Sequence, residues 1–168
     1  MAKLAFFFDA TMCTGCKACQ VACKDKSDLP VGVNWRRVAE FSGGNWVKNP
    51  DGTYDNTAFA YYTSIACNHC DNPPCVYCCP TGASHKWRDT NIVLVAAEKC
   101  TGCKACIAAC PYDARLIMHP EGYVDKCTFC HHRVDQGLDP ACVSSCPTHC
   151  MYFGNLDDRD STVSRLLR

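Results

Sequence analysis

Apolar residues fall along this chain in short bursts. Leu4 to Phe8, Ile92 to Ala97 and Tyr123 to Lys126 are rich in β-branched and aromatic side chains and predict brief strands. Each burst leads into a cluster of cysteines, so each strand is expected to deliver a ligand loop. The small residues from Ala18 to Ala22 and from Ala105 to Ala109 predict one or two helical turns behind two of those clusters. Pro80, Pro111 and Pro147 then stop or redirect the chain, because proline lacks the N–H that continues a helix. The longest cysteine-free stretch runs from Leu29 to Tyr62. Its turn signals at Gly43-Gly44 and Asn49-Pro50-Asp51-Gly52 and its aromatics Trp35, Trp46, Phe59, Tyr61 and Tyr62 predict extended hairpin structure, used either for packing over its neighbours or for docking a partner. The tail from Asp157 to Arg168, with Asp160 or Ser161 as a cap ahead of Val163, Leu166 and Leu167, predicts a short amphipathic helix that docks or frays.

No apolar run approaches the ~20 residues that cross a bilayer, and the start lacks a charged segment followed by a long apolar one. Arg36-Arg37 lies too deep to serve as a twin-arginine signal. A soluble or peripheral protein without a direct membrane span is expected, any export being as a passenger on a partner.

Cysteine changes the picture most: the 168 residues include 18. Cys13-x2-Cys16-x2-Cys19-x3-Cys23 returns as Cys100, Cys103, Cys106 and Cys110, with the heptapeptide CTGCKAC unchanged. Two looser runs interleave with these, Cys67-x2-Cys70-x4-Cys75-x3-Cys79 and Cys127-x2-Cys130-x11-Cys142-x3-Cys146, and both end in Cys-Pro-Thr. The order compact, loose, compact, loose reads as a duplicated unit. A C-x2-C-x2-C-x3-C run that ends in Cys-Pro, as at Cys110-Pro111, is the ligand signature of [4Fe-4S] ferredoxins. Three ligands packed so closely cannot pair among themselves as disulfides without strain. Tetrahedral zinc also uses C-x2-C pairs but needs neither the third closely spaced cysteine nor the Cys-Pro ending, so a zinc-binding structural protein is the weaker alternative.

In two-cluster ferredoxins the fourth cysteine of a run binds the other cluster. The short separation of the second and third runs then predicts nested pairing. One module would bind Cys67, Cys70 and Cys75 with Cys110, and Cys100, Cys103 and Cys106 with Cys79. The other would bind Cys13, Cys16 and Cys19 with Cys146, and Cys127, Cys130 and Cys142 with Cys23. The expected divisions are 1–27 with 120–155, 63–119, an insertion at 28–62 and a tail at 156–168. Cys78 and Cys150 are left over and are expected as buried small side chains. The full cysteine sets make His69, His131 and His132 unnecessary as ligands, which leaves them hydrogen bonding around the sites or exposed.

Seventeen basic and 17 acidic side chains balance, giving no electrostatic case for nucleic acid. Four thiolates about a [4Fe-4S]2+ core sum to about −2, however, so nearby cations become useful. Lys17, Lys24, Lys99, Lys104 and Lys126 adjoin cysteines and fill that role or are simply solvated. No nucleotide-cradling glycine loop or other independent catalytic constellation is present.

The opening FFFDATMCTGCKACQVACK, the WRRV at Trp35 to Val38, CNHCDNPPCVYCCPTGA, ACPYDAR and KCTFCHHRV followed by PACVSSCP together resemble the electron-transfer subunits of molybdopterin oxidoreductases of the dimethyl sulfoxide reductase type. The resemblance covers nearly the whole chain. It implies an α+β, loop-rich fold of two ferredoxin-like dicluster modules related by pseudo-twofold symmetry, with four [4Fe-4S] clusters. It also implies a large molybdenum or tungsten catalytic partner, and exchange of electrons with a membrane quinone subunit or another carrier. On that reading the chain is a non-catalytic subunit, peripheral to a membrane, either cytoplasmic or exported with its partner.

Overall fold

The computed structural model describes residues 2–87 and 90–168; Met1 and residues 88–89, inside two of the expected module ranges, lie outside the described residues. The elements are β1 (Leu4–Phe8), α1 (Ala18–Lys26), β2 (Arg37–Gly43), β3 (Trp46–Lys48), β4 (Tyr54–Asn56), β5 (Phe59–Ile65), α2 (Pro74–Tyr77), β6 (Ser84–Lys86), β7 (Val93–Val95), a 3-10 turn at Ala97–Lys99, α3 (Ala105–Ala108), β8 (Leu116–Ile117), β9 (Val124–Asp125), α4 (His131–Val134), α5 (Ala141–Ser144), β10 (Met151–Asn155) and α6 (Thr162–Leu166). Each cysteine run therefore sits at the end of a short element.

The cysteine repeat is also a repeat of elements. β1 enters the first run and α1 leaves it; β7 and α3 do the same for the third. The second run holds α2 and is followed by β6, while the fourth holds α5 and is followed by β10. The β2–β5 hairpin joins the first run to the second, and the much shorter β8–β9 hairpin joins the third to the fourth. Strands pair across the repeat, β1 with β10 and β6 with β7, both antiparallel. Helices follow suit, α1 against α5 and α2 against α3. The first run is thereby set beside the fourth, and the second beside the third.

Several sequence expectations are modified. α1 continues past Cys23 to Lys26, since no proline follows that cysteine, whereas α3 stops at Ala108 ahead of Pro111. The burst Ile92 to Ala97 contracts to Val93–Val95 and Tyr123 to Lys126 contracts to Val124–Asp125, because the flanking backbone groups bond into loops, as in Met118 N–H to the Tyr123 carbonyl. β6, β8 and β10 were not anticipated; two of them are too short to show a periodicity. The 28–62 insertion does form hairpin structure: β2 pairs with β5 from Arg37↔Ile65 to Gly43↔Phe59, and β3–β4 makes an outer tip. Trp35 is buried, while Trp46, Phe59 and Tyr61 are exposed. The tail folds back: Ser161 caps α6 by accepting from Ser164 N–H, Asp160 does not, and Val163 is fully buried against β10.

Cysteines make up much of the interior. One buried cluster joins Cys23, Leu29, Trp35, Ile92, Cys127 and Phe129, spanning both halves of the repeat, and a second joins Cys19, Cys142, Cys146, Cys150 and Met151. A chain of this size with so many thiols inside depends on bonds to metal for part of its cohesion.

Candidate cluster-binding sites

The CTGCKAC loops are shaped by residues that accept a left-handed backbone. Gly15 and Gly102 have φ of +70° and +66°, and Lys17 and Lys104, just ahead of α1 and α3, are left-handed as well. This curls each loop, and in the first it turns the cysteines to one recess. Cys13, Cys16, Cys19 and Cys146, together with Cys150, line that recess with Phe8, Val38 and Ser64. Cys67, Cys70, Cys75 and Cys110 line another, with Pro73, Val93 and Arg115. Cys127, Cys142 and Cys130 are near enough to act on the Cys23 thiol, and Cys78 and Cys100 are near enough to act on Cys106. Among the described residues, no three Cys, His, Asp or Glu side chains converge closely enough to hold a single metal ion; the thiols surround spaces instead.

The remaining cysteines differ from expectation in one case. Cys150 is buried, its sulfur 3.4 Å from that of Cys146. Cys78 is not a buried spare: it is half-buried and lies beside Cys75, Cys79 and Cys106. The backbone turns after Cys79 in a way that equips Cys79 for a thiolate role. Ser84 N–H donates to Cys79 Sγ at 3.4 Å, and Thr81 Oγ1 lies 3.7 Å from it. Cys146 has the same arrangement with Thr148 at 3.7 Å. The shared Cys-Pro-Thr ending thus places a hydroxyl on the sulfur of each loose run's last cysteine. Against the opposing effect of burial, these hydrogen bonds lower both thiols below their ordinary range. Burial and neighbouring thiols push Cys23 and Cys142 the other way, to about 12, with Arg36 resisting. As free groups those two stay protonated; coordination by a metal cluster deprotonates them outright.

Three cations are buried among these thiols: Arg36, Arg115 and Lys126, at 3%, 2% and 0% exposure. Among the described residues none of the three forms an ion pair with a carboxylate. Burying an unpaired charge costs several kcal/mol, whereas each opposite unit charge about 4 Å away returns about 4 kcal/mol at an effective dielectric of about 20. Anions are therefore required around them. Arg115 Nη2 donates to Cys75 Sγ at 2.9 Å and to Ser84 Oγ at 2.6 Å, yet its Nε and Nη1 are buried without a protein partner. Those orphaned donors, on a side chain that lines the Cys67 recess, fit the sulfur-rich surface and net negative charge of an iron–sulfur cluster. Of the five lysines beside cysteines, Lys126 alone is enclosed; Lys17, Lys99 and Lys104 are exposed, and Lys24 Nζ donates to the Pro30 and Val33 carbonyls.

His69 is buried, with Nδ1 accepting from Val93 N–H at 3.0 Å and its ring 3.7 Å from that of Phe129. The two rings hold equivalent places in the repeat, between the first two cysteines of the second and fourth runs. Burial first, and the Lys126 charge next, hold the His69 imidazole well below its ordinary pKa, so it is neutral. His131 instead lies 3.8 Å from Asp135 near the surface. Arg36, Arg115, Thr81, Thr148, Ser64 and Ser84 were not singled out as site residues by sequence reasoning; the repeated Cys-Pro-Thr was the available signal.

Comparison with known proteins points to the same cofactor. A family model described as a 4Fe-4S dicluster domain matches residues 58–156, and one described as a 4Fe-4S binding domain matches residues 10–31. The chain is 46% identical to an anaerobic dimethyl sulfoxide reductase chain of Haemophilus influenzae over 94% of its own length and 77% of the relative's. It is 41% identical to a putative dimethyl sulfoxide reductase iron-sulfur subunit of Halobacterium salinarum, covering 99% of this chain and 71% of that one. Protein NrfC of Escherichia coli is 40% identical over 95% of this chain and 69% of its own length. None of these matches favours a zinc protein.

Proposed function

We infer the working arrangement from one premise: this chain belongs to the family of iron–sulfur electron-transfer subunits with [4Fe-4S] dicluster domains that includes the anaerobic dimethyl sulfoxide reductase relatives. It is an electron-transfer subunit of a reductase-type complex, it carries four [4Fe-4S] clusters, and it is not the catalytic subunit. The clusters, when bound, accept and release single electrons.

The sixteen ligands we propose are the four nested sets: Cys13, Cys16, Cys19 and Cys146; Cys23, Cys127, Cys130 and Cys142; Cys67, Cys70, Cys75 and Cys110; and Cys79, Cys100, Cys103 and Cys106. The recess shared by Cys67, Cys70, Cys75 and Cys110 carries this reading, since it joins three cysteines of one run to the last cysteine of another. The ranges 1–27 with 120–155 and 63–119 are then two ferredoxin-like modules, related by a pseudo-twofold axis that passes near the His69–Phe129 stack. The stack also supports an order for the sets. The second and fourth runs meet there, so the sets built on Cys127 and on Cys67 are the inner pair, with those built on Cys13 and Cys100 at the two ends.

The partner at one end is a molybdopterin-containing catalytic subunit, and at the other a membrane quinone-reactive subunit or another redox carrier, which makes the complex peripheral to a membrane. No helix of the described residues is long and apolar enough to cross a membrane. Iron and acid-labile sulfide in protein purified without oxygen test the reading: about sixteen of each per chain are expected. Substituting one cysteine from each set should remove one cluster signal from the electron paramagnetic resonance spectrum of the reduced protein. Loss of a cluster in Cys78→Ser but not in Cys79→Ser would move that ligand by one residue.

A further inference from the structure

The three buried cations are not scattered. Taking the proposed ligand sets in their proposed order, each cation stands at one of the three junctions between consecutive sets. Arg36 Nη1 donates to Ser64 Oγ at 3.1 Å, and Ser64 Oγ lies 3.4 Å from Cys19 Sγ in the Cys13 set. The same guanidinium is held over the Phe6 ring at 4.7 Å, near enough for its charge to act on the thiols of Cys23, Cys127 and Cys142 in the next set. Lys126 Nζ donates to the Cys127 carbonyl at 2.8 Å and to the carbonyl of Val93, a residue that lines the Cys67 recess. Burial opposes its charge, while the Cys67 and Cys127 thiols favour it; Arg115 and Asp125 act on it as well. Arg115 bonds to Cys75 Sγ in that third set, reaches Cys106 in the fourth, and shares Ser84 with Cys79, whose sulfur accepts from Ser84 N–H.

We propose that Arg36, Lys126 and Arg115 are inter-cluster charges, one per step of the electron path, each lifting the reduction potentials of the two clusters that flank it. A fixed cation favours the reduced, more negative cluster. Placed between two clusters, it eases the arrival of an electron on either one without favouring one direction. The two arginines hold matching posts. Each directly precedes the first strand of a hairpin, β2 or β8, and each is anchored by a serine that also touches a ligand thiol. Only single electrons move in these steps, so no further reactant is needed.

The inference rests on the proposed ligand sets, and the experiment separates the two. Redox titrations monitored by electron paramagnetic resonance would be run on cluster-loaded protein, with each signal first assigned by a cysteine-to-serine substitution in its own set. Failure of those assignments counts against the sets. With the signals assigned, Lys126→Met should lower one cluster in each half, Arg36→Met both clusters of the first and fourth runs, and Arg115→Met both clusters of the second and third. The expected change is about tenfold or more in each reduction equilibrium, which is about 59 mV for a one-electron couple. Lys126→Arg, Arg36→Lys and Arg115→Lys should retain both potentials of their pair. A shift confined to one cluster, or equal shifts in the charge-retaining variants, would overturn the proposal. Loss of iron in both the methionine and the charge-retaining variant would do the same, since shape and not charge would then be what each position supplies.

Discussion

Around the first and fourth cysteine runs, Cys19, Cys23, Cys127, Cys130, Cys142 and Cys146 are buried; around the second and third, Cys75 is the one buried member of eight. The loops themselves do not account for this, because Cys16 and Cys103, equivalent members of CTGCKAC, are both exposed. The surroundings do. The first half is closed by five-residue strands β1 and β10, the nine-residue α1, and α6 packed on β10. The second has three-residue strands β6 and β7 and the four-residue α3. One ligand pattern therefore serves two degrees of solvent contact, and solvent exposure is among the properties that set a cluster's potential and its access to reagents.

The largest expected effect is loss of the fold on removal of iron, since thiols occupy core positions and lose their attachment together. A chelator added anaerobically in small increments should strip the clusters of the second and third runs first. Iron content followed against the cluster spectra reads this directly. Simultaneous loss from both halves would mean that burial does not govern access, and the contrast between them would lose its functional content.

Next in size are single ligand substitutions. Cys142→Ser and Cys103→Ser should each cost about four irons of roughly sixteen. They should differ in what remains. Cys142 is 4% exposed inside a core cluster, so its loss should also speed proteolysis of the first half, whereas loss of exposed Cys103 should leave the proteolytic pattern close to that of the unsubstituted chain. Anaerobic limited proteolysis beside iron analysis gives both readings.

How much of this was legible in the sequence depends on the range of the interaction concerned. Cysteine spacing is local, and it led to the number of ligand groups and to their nested pairing as an expectation. β1 was legible because five apolar residues stand together. β6 and β8 were not, as Ser84–Lys86 and Leu116–Ile117 are strands only because β7 and β9 supply partners. Lys126 looks in sequence like the other lysines beside cysteines. Its burial follows from where β9 delivers it, between Cys67 and Cys127, which no window of neighbouring residues reveals. Arg36 and Arg115 were visible as parts of WRRV and ACPYDAR, but their common post before a hairpin needed the fold.

Those hairpins also roof the compact loops, and glycine tests how rigid each roof is. A Cβ on Gly15 would run into the Tyr62 ring from β5, and one on Gly102 would come within 2.7 Å of the Gly122 carbonyl in the β8–β9 turn. Both glycines are left-handed, so alanine adds about 1–2 kcal/mol of backbone strain to about 1–3 kcal/mol of overpacking. A side chain can swing aside more easily than backbone. Gly102→Ala should therefore accelerate cluster bleaching in denaturant more than Gly15→Ala, and Tyr62→Ala should partly rescue the latter. Equal effects, with no rescue, would show that strain alone matters and that the two roofs are alike.

The smallest expected effect on stability separates the roof from its outer end. β3 and β4 are exposed along their whole length, and Phe41, Phe59 and Tyr61 stack on the exposed face of the hairpin with centroid spacings of 5.3 and 6.3 Å. None of these side chains lies in either buried cluster. Replacing residues 45–57 by a short turn shortens a loop already closed by the β2–β5 ladder, and halving a loop changes closure entropy by only about 0.6 kcal/mol. Cluster content should be unchanged and the bleaching rate should not rise, because the loop term is only about 0.6 kcal/mol per halving and a shorter loop favours the folded chain. Replacing Tyr62, by contrast, uncovers the Cys13 loop. If trimming the tip alone destabilises the clusters of the first and fourth runs, the whole insertion is part of the roof, and the longer hairpin exists to bury that half. If it does not, the roof ends at the β2–β5 ladder, and the aromatic tip serves something other than the stability of the chain that carries it.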